Sequence, residues 1–186
     1  MSNDAIVLLR EDHKEVRRLF REYRALVASD DQDGSGDGGG DSDGKGDGGA
    51  AQERRETVGR IVEALTVHTY LEDELFYPRA RQEVPGLAGT MDRAKQEHHV
   101  ADLLCEELSR MTPDDEGYDA KAAVLIDAVE RHIEEEEGDW FPQVRAALGR
   151  KELQEIGERM RAVRETAPHQ PTGGGMLHRI ADALED

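Results

Sequence analysis

Two copies of a His-x-x-x-Glu motif are the residues of this chain best suited to chemistry. His68 and Glu72 form the first copy, and His132 and Glu136 form the second, 64 residues further on. In a helix, residues four apart lie on one face, so the imidazole and the carboxylate of each motif can hold one object together. Both groups are common ligands of transition metals. The two motifs therefore predict a metal site.

Two further histidines, His13 and His98, occupy equivalent places. The segment that follows His68 matches the segment that follows His132 at an offset of 64, and the segment around His13 matches that around His98 at an offset of 85. His99 competes with His98, but only His98 falls on the apolar stripe of its helix. An ionised Glu in an apolar core costs several kcal/mol unless it is paired. The interruptions of four apolar stripes therefore predict one shared buried partner.

The predicted donor set consists of four imidazoles and two carboxylates, from His13, His68, Glu72, His98, His132 and Glu136. Six ligands are too many for one zinc ion, and calcium and magnesium prefer oxygen. Two carboxylates that can bridge, with two imidazoles at each end, suit a pair of iron or manganese ions. Such a pair keeps coordination positions for a small ligand such as dioxygen, peroxide or nitric oxide.

Helices must position these residues, because Ala, Leu, Glu, Arg and Lys are frequent and apolar residues recur at steps of three and four. Four helices are expected, at about 3–28, 52–76, 87–111 and from 112–115 to 149. In the second helix Leu75 continues the apolar stripe. In the fourth, Thr112 is the expected N-cap and Pro113 the first helical residue. Tyr77 and Phe141 each precede a proline and are expected to be packing residues that end their helices. The alternative for Tyr77 is a position close enough to a metal to donate a hydrogen bond or be oxidised.

The spacing of the histidines predicts the topology. His13 and His68 are 55 residues apart and His98 and His132 are 34 apart, and the difference of 21 equals the length of the tract 30–50. The chain is thus expected to form two helical hairpins, in an all-α, antiparallel up-down four-helix bundle over residues 1–149. Residues 150–186 are expected to add C-terminal helices, one at about 150–166 and a short amphipathic one in MLHRIADALED. A homodimer contact through this last helix is a further expectation.

The tract 30–50 contains Asp, Gly and Ser and no large apolar side chain, so it is expected to be a flexible linker. A calcium site is the alternative, because Asp33, Ser35 and Asp37 imitate the start of an EF-hand loop. The twelfth position of that loop, which should supply a bidentate Glu, is Gly44. The linker is the favoured interpretation.

Composition narrows the range of partners. The 24 basic and 42 acidic residues give a net charge of −18, which argues against binding to nucleic acid or an anionic membrane. No stretch approaches the length of apolar sequence that spans a membrane, and the N-terminus does not read as a secretory signal. Cys105 is the single cysteine and requires no oxidising compartment. A cytoplasmic protein is therefore expected.

At these motifs the sequence resembles the hemerythrin-like, or HHE cation-binding, proteins. The resemblance covers about 5–147 outside the tract. Its motifs are EDH ending at His13, HTYLE from His68 with LFYP beyond it, EH ending at His98, and HIEEE from His132 with WFP beyond it. It implies a non-haem di-iron centre inside an antiparallel four-helix bundle. The expected cofactor is two iron ions joined by an oxo or hydroxo bridge, with manganese or zinc less favoured.

The departures from that family bear on function. Oxygen-carrying hemerythrins supply five histidines, one of them four residues after the first on the third helix, where this chain has Asp102. Three roles are open to Asp102: a further metal ligand, an acceptor for an imidazole N–H, or a surface residue. The surface position is the favoured one. The departures favour catalase-like peroxide chemistry or nitric oxide chemistry over oxygen storage. The second hypothesis is an iron, oxygen or redox sensor without turnover. The third hypothesis is a structural helical bundle that holds zinc or no metal.

Overall fold

Every regular element within residues 4–33 and 47–171, the part of the chain that the computed structural model describes, is a helix. The predicted all-α class is therefore confirmed. The helices are α1 (Ala5–Asp33), α2 (Asp47–Leu71), α3 (Tyr77–Glu83), α4 (Ala88–Arg110), α5 (Tyr118–Glu135) and α6 (Phe141–Arg164). Two π-helical turns, Glu72–Phe76 and Glu136–Trp140, join α2 to α3 and α5 to α6, and a 3-10 turn, Pro85–Leu87, precedes α4. None of the described helices is long and apolar enough to cross a membrane.

The long helices bury their apolar stripes in two clusters. Helix α1 packs against α2 and α6, α4 packs against α5, and α2 also contacts α4. One cluster includes Leu9, Leu71 and Phe141, and the other includes Phe20, Leu65 and Leu125. Along the chain, His13, His98 and Glu136 each lie between a member of one cluster and a member of the other. The apolar packing on both sides therefore fixes the positions of the polar side chains.

The two π-helical turns correct the expected helix phase. The N–H of Tyr77 donates to the carbonyl of Glu72, and the N–H of Phe141 donates to that of Glu136, each across five residues. A proline follows each aromatic residue, and the wider turn accommodates a ring that lacks an N–H and crowds the preceding turn. The prediction that Tyr77 and Phe141 end their helices is wrong, since α3 and α6 begin there.

The start of α5 also differs from the prediction. Thr112 and Pro113 do not cap the helix, because Thr112 donates from its N–H and from its hydroxyl to the carboxylate of Asp115, at 2.7 and 3.0 Å. These bonds hold a turn that leads to Gly117, whose φ of 83° favours glycine. Helix α5 then begins at Tyr118.

Both ends of the Asp/Gly-rich tract are helical, which corrects its expected bounds. Helix α1 continues to Asp33 and α2 begins at Asp47. An ion pair of 2.9 Å between Asp30 and the buried Arg54 joins the two ends. The expected calcium-like sequence lies largely in residues 34–46, outside the described residues.

The C-terminal region follows α5 and the second π-helical turn without a break. Helix α6 changes direction at Gly149, with φ 70° and ψ 177°, where the sequence predicts the fourth helix to end. Residues 150–164 therefore form the second part of α6. The segment MLHRIADALED and its expected homodimer contact lie outside the described residues.

Candidate metal centre

The structure brings all six predicted site residues together. The ligand atoms of His13, His68, Glu72 and Glu136 lie within 4.8 Å of one another, and so do those of Glu72, His98 and His132. Each of the six residues is at most 6% exposed. Glu72 belongs to both groups, so the two groups form one continuous polar site in the core.

The imidazoles meet in two pairs through their Nε2 atoms. The Nε2 atoms of His13 and His68 are 3.2 Å apart, and those of His98 and His132 are 3.1 Å apart. Two nitrogens bound to one ion at about 2.1 Å lie about 3.0 Å apart at a right angle. Each imidazole pair therefore has the spacing of two ligands of one ion.

The two glutamates connect the imidazole pairs. Glu72 Oε2 lies 3.2 Å from Nε2 of His68 and 3.5 Å from Nε2 of His98. Glu136 Oε2 lies 3.2 Å from Nε2 of His13 and 3.7 Å from Nε2 of His132. Each carboxylate thus contacts one member of each pair. A carboxylate placed in this way can bridge two ions.

An outer set of carboxylates faces the other ring nitrogens. The Nδ1 atoms of His13, His132 and His98 donate to Glu137, Glu97 and Asp73, at 2.8, 2.9 and 3.3 Å. Asp12 Oδ2 lies 3.6 Å from Nδ1 of His68, too far for a hydrogen bond. Because an ionised carboxylate only accepts, it fixes the proton on Nδ1 and directs the Nε2 lone pair into the site.

The sequence contained a signal for the outer carboxylates that the prediction missed. Asp12 and Glu97 are related by the same offset of 85 that relates His13 to His98, and Asp73 and Glu137 by the offset of 64 that relates the two motifs. Acidic residues next to predicted ligands resemble an ordinary charged helix face. Their repetition in register with the ligands distinguishes them.

The electrostatics follow from burial and from these contacts. Burial lowers the pKa of His68, but Glu72 and Asp12 raise it more, so the pKa stands well above its ordinary value. The pKa of His13 is raised in the same way, against burial, by Glu136 and Glu137. The site is therefore a set of mutually stabilised charges when no metal is bound.

The carboxylates and His98 complete this balance. Burial opposes ionisation of Glu136, yet His132 and His13 hold its pKa below the ordinary value. Burial likewise opposes protonation of His98, and Asp73 raises its pKa. The hydrogen bonds from His13 and Arg17 lower the pKa of Glu137 to about 2. Glu137, like Glu97 and Asp12, whose pKa values are also lowered, therefore stays ionised near neutral pH.

The donor chemistry fits a bound cation. When a cation binds between His98 and His132, each ring must be neutral and carry its proton on Nδ1, so that both Nε2 lone pairs face the ion. Glu72 Oε1 and Glu136 Oε2 are buried and accept no hydrogen bond from any described residue. Buried polar atoms without partners are uncommon in folded proteins. Two such oxygens beside four converging nitrogens are the geometry that a metal centre requires.

One aromatic position breaks the symmetry of the site. Phe141 stacks on His13 with ring centroids 5.7 Å apart, and Tyr77 stacks on His98 at 5.5 Å. The Tyr77 hydroxyl donates to Glu136 Oε1 at 2.8 Å and lies 3.3 Å from Nε2 of His132. Burial, then Glu136 and Glu72, raise the pKa of Tyr77 well above its ordinary value, so its hydroxyl stays protonated. A regular α-helix would place Leu75 on the apolar stripe, as the sequence pattern predicts. The π-helical turn Glu72–Phe76 changes the helix phase, so Tyr77 points into the site.

The remaining candidates lie outside the two groups. His99 is half-buried and is not part of the cluster, in agreement with the preference for His98. Asp102 is half-buried rather than on the surface, and burial raises its pKa against the effect of His98. Cys105 is buried in the apolar core. His169 pairs with Glu63 at 2.8 Å, and His178 lies outside the described residues.

Comparison with known proteins agrees with this geometry. Residues 4–144 match the hemerythrin HHE cation binding domain family. A crystal structure of a hemerythrin HHE cation binding domain-containing protein from Mycobacterium kansasii superimposes with a TM-score of 0.63 at 23% identity, covering 88% of this chain and 86% of that one. At that identity the likeness concerns the fold.

A curated relative is a DNA nickase from a Nostoc strain, 25% identical over 173 residues. The match covers 91% of this chain but 42% of the relative, so the chain spans less than half of that protein's length.

Proposed function

The chain belongs to the hemerythrin HHE cation-binding domain family, and we propose that it is a non-haem di-iron protein that binds dioxygen, peroxide or nitric oxide. In this proposal His13 and His68 hold one ion and His98 and His132 hold the other, with Glu72 and Glu136 between them. The observation that carries the proposal is the pair of glutamates that each contact one imidazole of each pair and each have one buried oxygen that accepts no hydrogen bond from a described residue.

Iron is proposed because of the donor set. Four imidazoles and two carboxylates are too nitrogen-rich for calcium or magnesium and too numerous for one tetrahedral zinc. Manganese and zinc are the less favoured occupants. When bound, a pair of irons supplies one-electron redox chemistry between the ferrous and ferric states and coordination positions for a small oxidant.

The residues of the chain itself would bind the ions, orient the imidazoles and exclude water from the site. Glu97, Asp73 and Glu137 hold the Nδ1 protons and thereby keep the Nε2 atoms aimed at the ions. The Tyr77 hydroxyl donates a hydrogen bond to Glu136 and thereby fixes the orientation of that carboxylate. Phe141 and Trp140, at most 2% exposed, pack against His13 and His132 and exclude solvent.

We also propose the arrangement that the histidine spacing predicts. The long helices would form an antiparallel up-down bundle over residues 1–149, with 150–186 as a C-terminal extension. The packing of α1 on α2 and of α4 on α5, together with the direction change at Gly149, supports this arrangement. The net charge of −18 supports a function without nucleic acid, unlike that of the nickase relative.

Metal analysis of freshly purified protein tests the proposal first. About two irons per chain are expected if six ligands serve two ions. His68→Ala should lose iron, whereas the control His99→Ala, at the half-buried histidine outside the cluster, should keep it. One zinc ion per chain, or no metal in protein purified without a chelator, would contradict the proposal.

Reactivity separates an enzyme from a sensor. If the protein is catalase-like, the iron-loaded form should consume peroxide in repeated turnovers, and His68→Ala should not. If it is a sensor, adding peroxide or nitric oxide should change the absorption of the centre once, without continued consumption. Absence of any spectral response from the loaded protein would refute binding of these ligands.

A further inference from the structure

A groove between α4 and α5 reaches the candidate metal centre from the surface. It has a volume of about 280 Å³, with His98 and His132 among the residues at its wall. The rest of the wall is divided between four apolar residues, Val100, Ala101, Ala128 and Val129, and four polar ones, Arg93, Gln96, Glu97 and Arg131. The apolar residues extend from the buried Ala101 out to the surface, where Val100 is 51% exposed. The α4–α5 groove therefore offers a partly apolar path from solvent to two proposed ligands, along Val100, Ala101, Ala128 and Val129.

The pseudo-symmetric groove between α1 and α2 is built differently. It has a volume of about 340 Å³, and neither His13 nor His68 is among the described residues that line it. In the repeat, Ala64 of this groove corresponds to Ala128 and Glu15 to Val100. The α1–α2 groove therefore presents a charged residue where the α4–α5 groove presents the apolar Val100, and the reverse holds for Val67 and Arg131, so the two grooves differ chiefly in that His98 and His132 line only the α4–α5 groove among the described residues.

The C-terminal region also covers the α1–α2 groove. Arg164 of α6 donates to Asp12 at 2.6 Å, and His169 pairs with Glu63 at 2.8 Å. Both Arg164 and His169 line this groove, and neither lines the α4–α5 groove. The described C-terminal residues thus cover one of two related openings and leave the other uncovered.

We propose that the α4–α5 groove is the route by which a small, weakly polar diatomic molecule, dioxygen or nitric oxide, reaches the His98–His132 side of the centre. The proposal rests on the proposed function, because it assumes that a metal there receives this ligand. A small apolar pocket takes up uncharged, weakly polar molecules because they lose little solvation on entering it. Access is then one-sided, although the ligand set itself is nearly symmetric.

Xenon uptake tests the groove without any metal. In chelated wild-type protein, xenon pressure should shift the backbone amide signals of Ala101, Ala128 and Val129 in a saturable way, because xenon occupies apolar cavities. The amide signals of Val16, Ala64 and Val67, which line the α1–α2 groove, should shift little. Equal shifts at both grooves, or none at the α4–α5 groove, would overturn the proposal.

A matched pair of variants tests access to the loaded centre. In Ala128→Phe, the rate constant for nitric oxide binding to the ferrous protein should fall by about tenfold, or about 1.4 kcal/mol in the barrier. Ala64→Phe, at the related position of the α1–α2 groove, should leave that rate constant within a factor of about two of wild type, about 0.4 kcal/mol. An equal effect of both variants, or no effect of Ala128→Phe, would overturn the proposed route.

The two experiments keep this inference separate from the proposed function. If the protein binds no iron, the proposed function fails, while xenon uptake still decides whether the groove admits such a molecule. If it binds iron and responds to nitric oxide, but Ala128→Phe reacts at the wild-type rate, the proposed function stands and the route is wrong. Because the xenon measurement uses wild-type protein, a folding defect in Ala128→Phe cannot leave the route untested.

Discussion

The outer carboxylates should control metal affinity in an order set by their distances from the imidazoles. Glu97 and Asp12 are the most informative pair, because each directly precedes a proposed histidine ligand and the two are related by the repeat. Glu97 accepts a hydrogen bond from Nδ1 of His132 at 2.9 Å, whereas Asp12 lies 3.6 Å from Nδ1 of His68 and is held by Arg164. Related positions thus make unequal contacts.

The magnitudes follow from these contacts. A hydrogen bond to a charged group contributes about 1.5–3 kcal/mol, and loss of such an outer partner weakens metal binding by about 10–100-fold. We therefore expect Glu97→Ala to bind iron about 10–100-fold more weakly than wild type. The Asp12 contact is too long to be a hydrogen bond, so Asp12→Ala should cost less than about 1 kcal/mol, or about fivefold.

Competition with a coloured ferrous chelator under anaerobic conditions measures both losses. The concentration of chelator that removes half of the iron should fall much more for Glu97→Ala than for Asp12→Ala. Glu107→Ala, an exposed position on α4 that pairs with Lys121, is the control and should match wild type. An Asp12→Ala loss equal to or larger than the Glu97→Ala loss would refute the reasoning.

Three other outcomes are expected. Arg54→Ala should lower the free energy of unfolding by about 1–3 kcal/mol, since the half-buried Asp30 of α1 and Asp119 of α5 both lose their ion pair with Arg54, and the exposed Arg55→Ala should change the urea midpoint little. Tyr77→Phe should retain iron, but its free energy of unfolding should fall by about 1–3 kcal/mol, because Glu136 loses a buried hydrogen-bond donor. An unchanged urea midpoint would contradict this expectation. The raised pKa of His68 stabilises the chelated protein fully below the unfolded value of 6.5, and this contribution is lost as pH rises through the folded pKa. Calorimetry should therefore show the melting temperature of the chelated protein falling above about pH 6.5, while iron-loaded protein changes less.

The sequence was sufficient to predict the six converging residues. Each one interrupts an apolar stripe at helical spacing, and the internal repeat sets the phase, so His98 could be preferred to His99. Apolar residues at helical spacing mark the buried face of a helix, so a polar residue within that pattern could be predicted to be buried. The all-helical class followed from the same periodicity.

What the sequence did not reveal depends on departures from ideal helix geometry and on contacts between helices. The π-helical turn at Glu72 rotates Tyr77 into the site, and a pattern of 3.6 residues per turn cannot anticipate that rotation. The role of Glu97 depends on its distance from His132 on another helix, since a charged residue on a helix face otherwise resembles any solvated one. The helical ends of the tract required the contact between Arg54 and Asp30, distant in sequence.

Anomalous diffraction at the iron edge from crystals of the iron-loaded protein tests the central claim most directly. We expect two peaks, one beside the Nε2 atoms of His13 and His68 and one beside those of His98 and His132, with Glu72 and Glu136 contacting both. A single peak, peaks elsewhere on the protein, or imidazoles turned away from the metal would contradict the account.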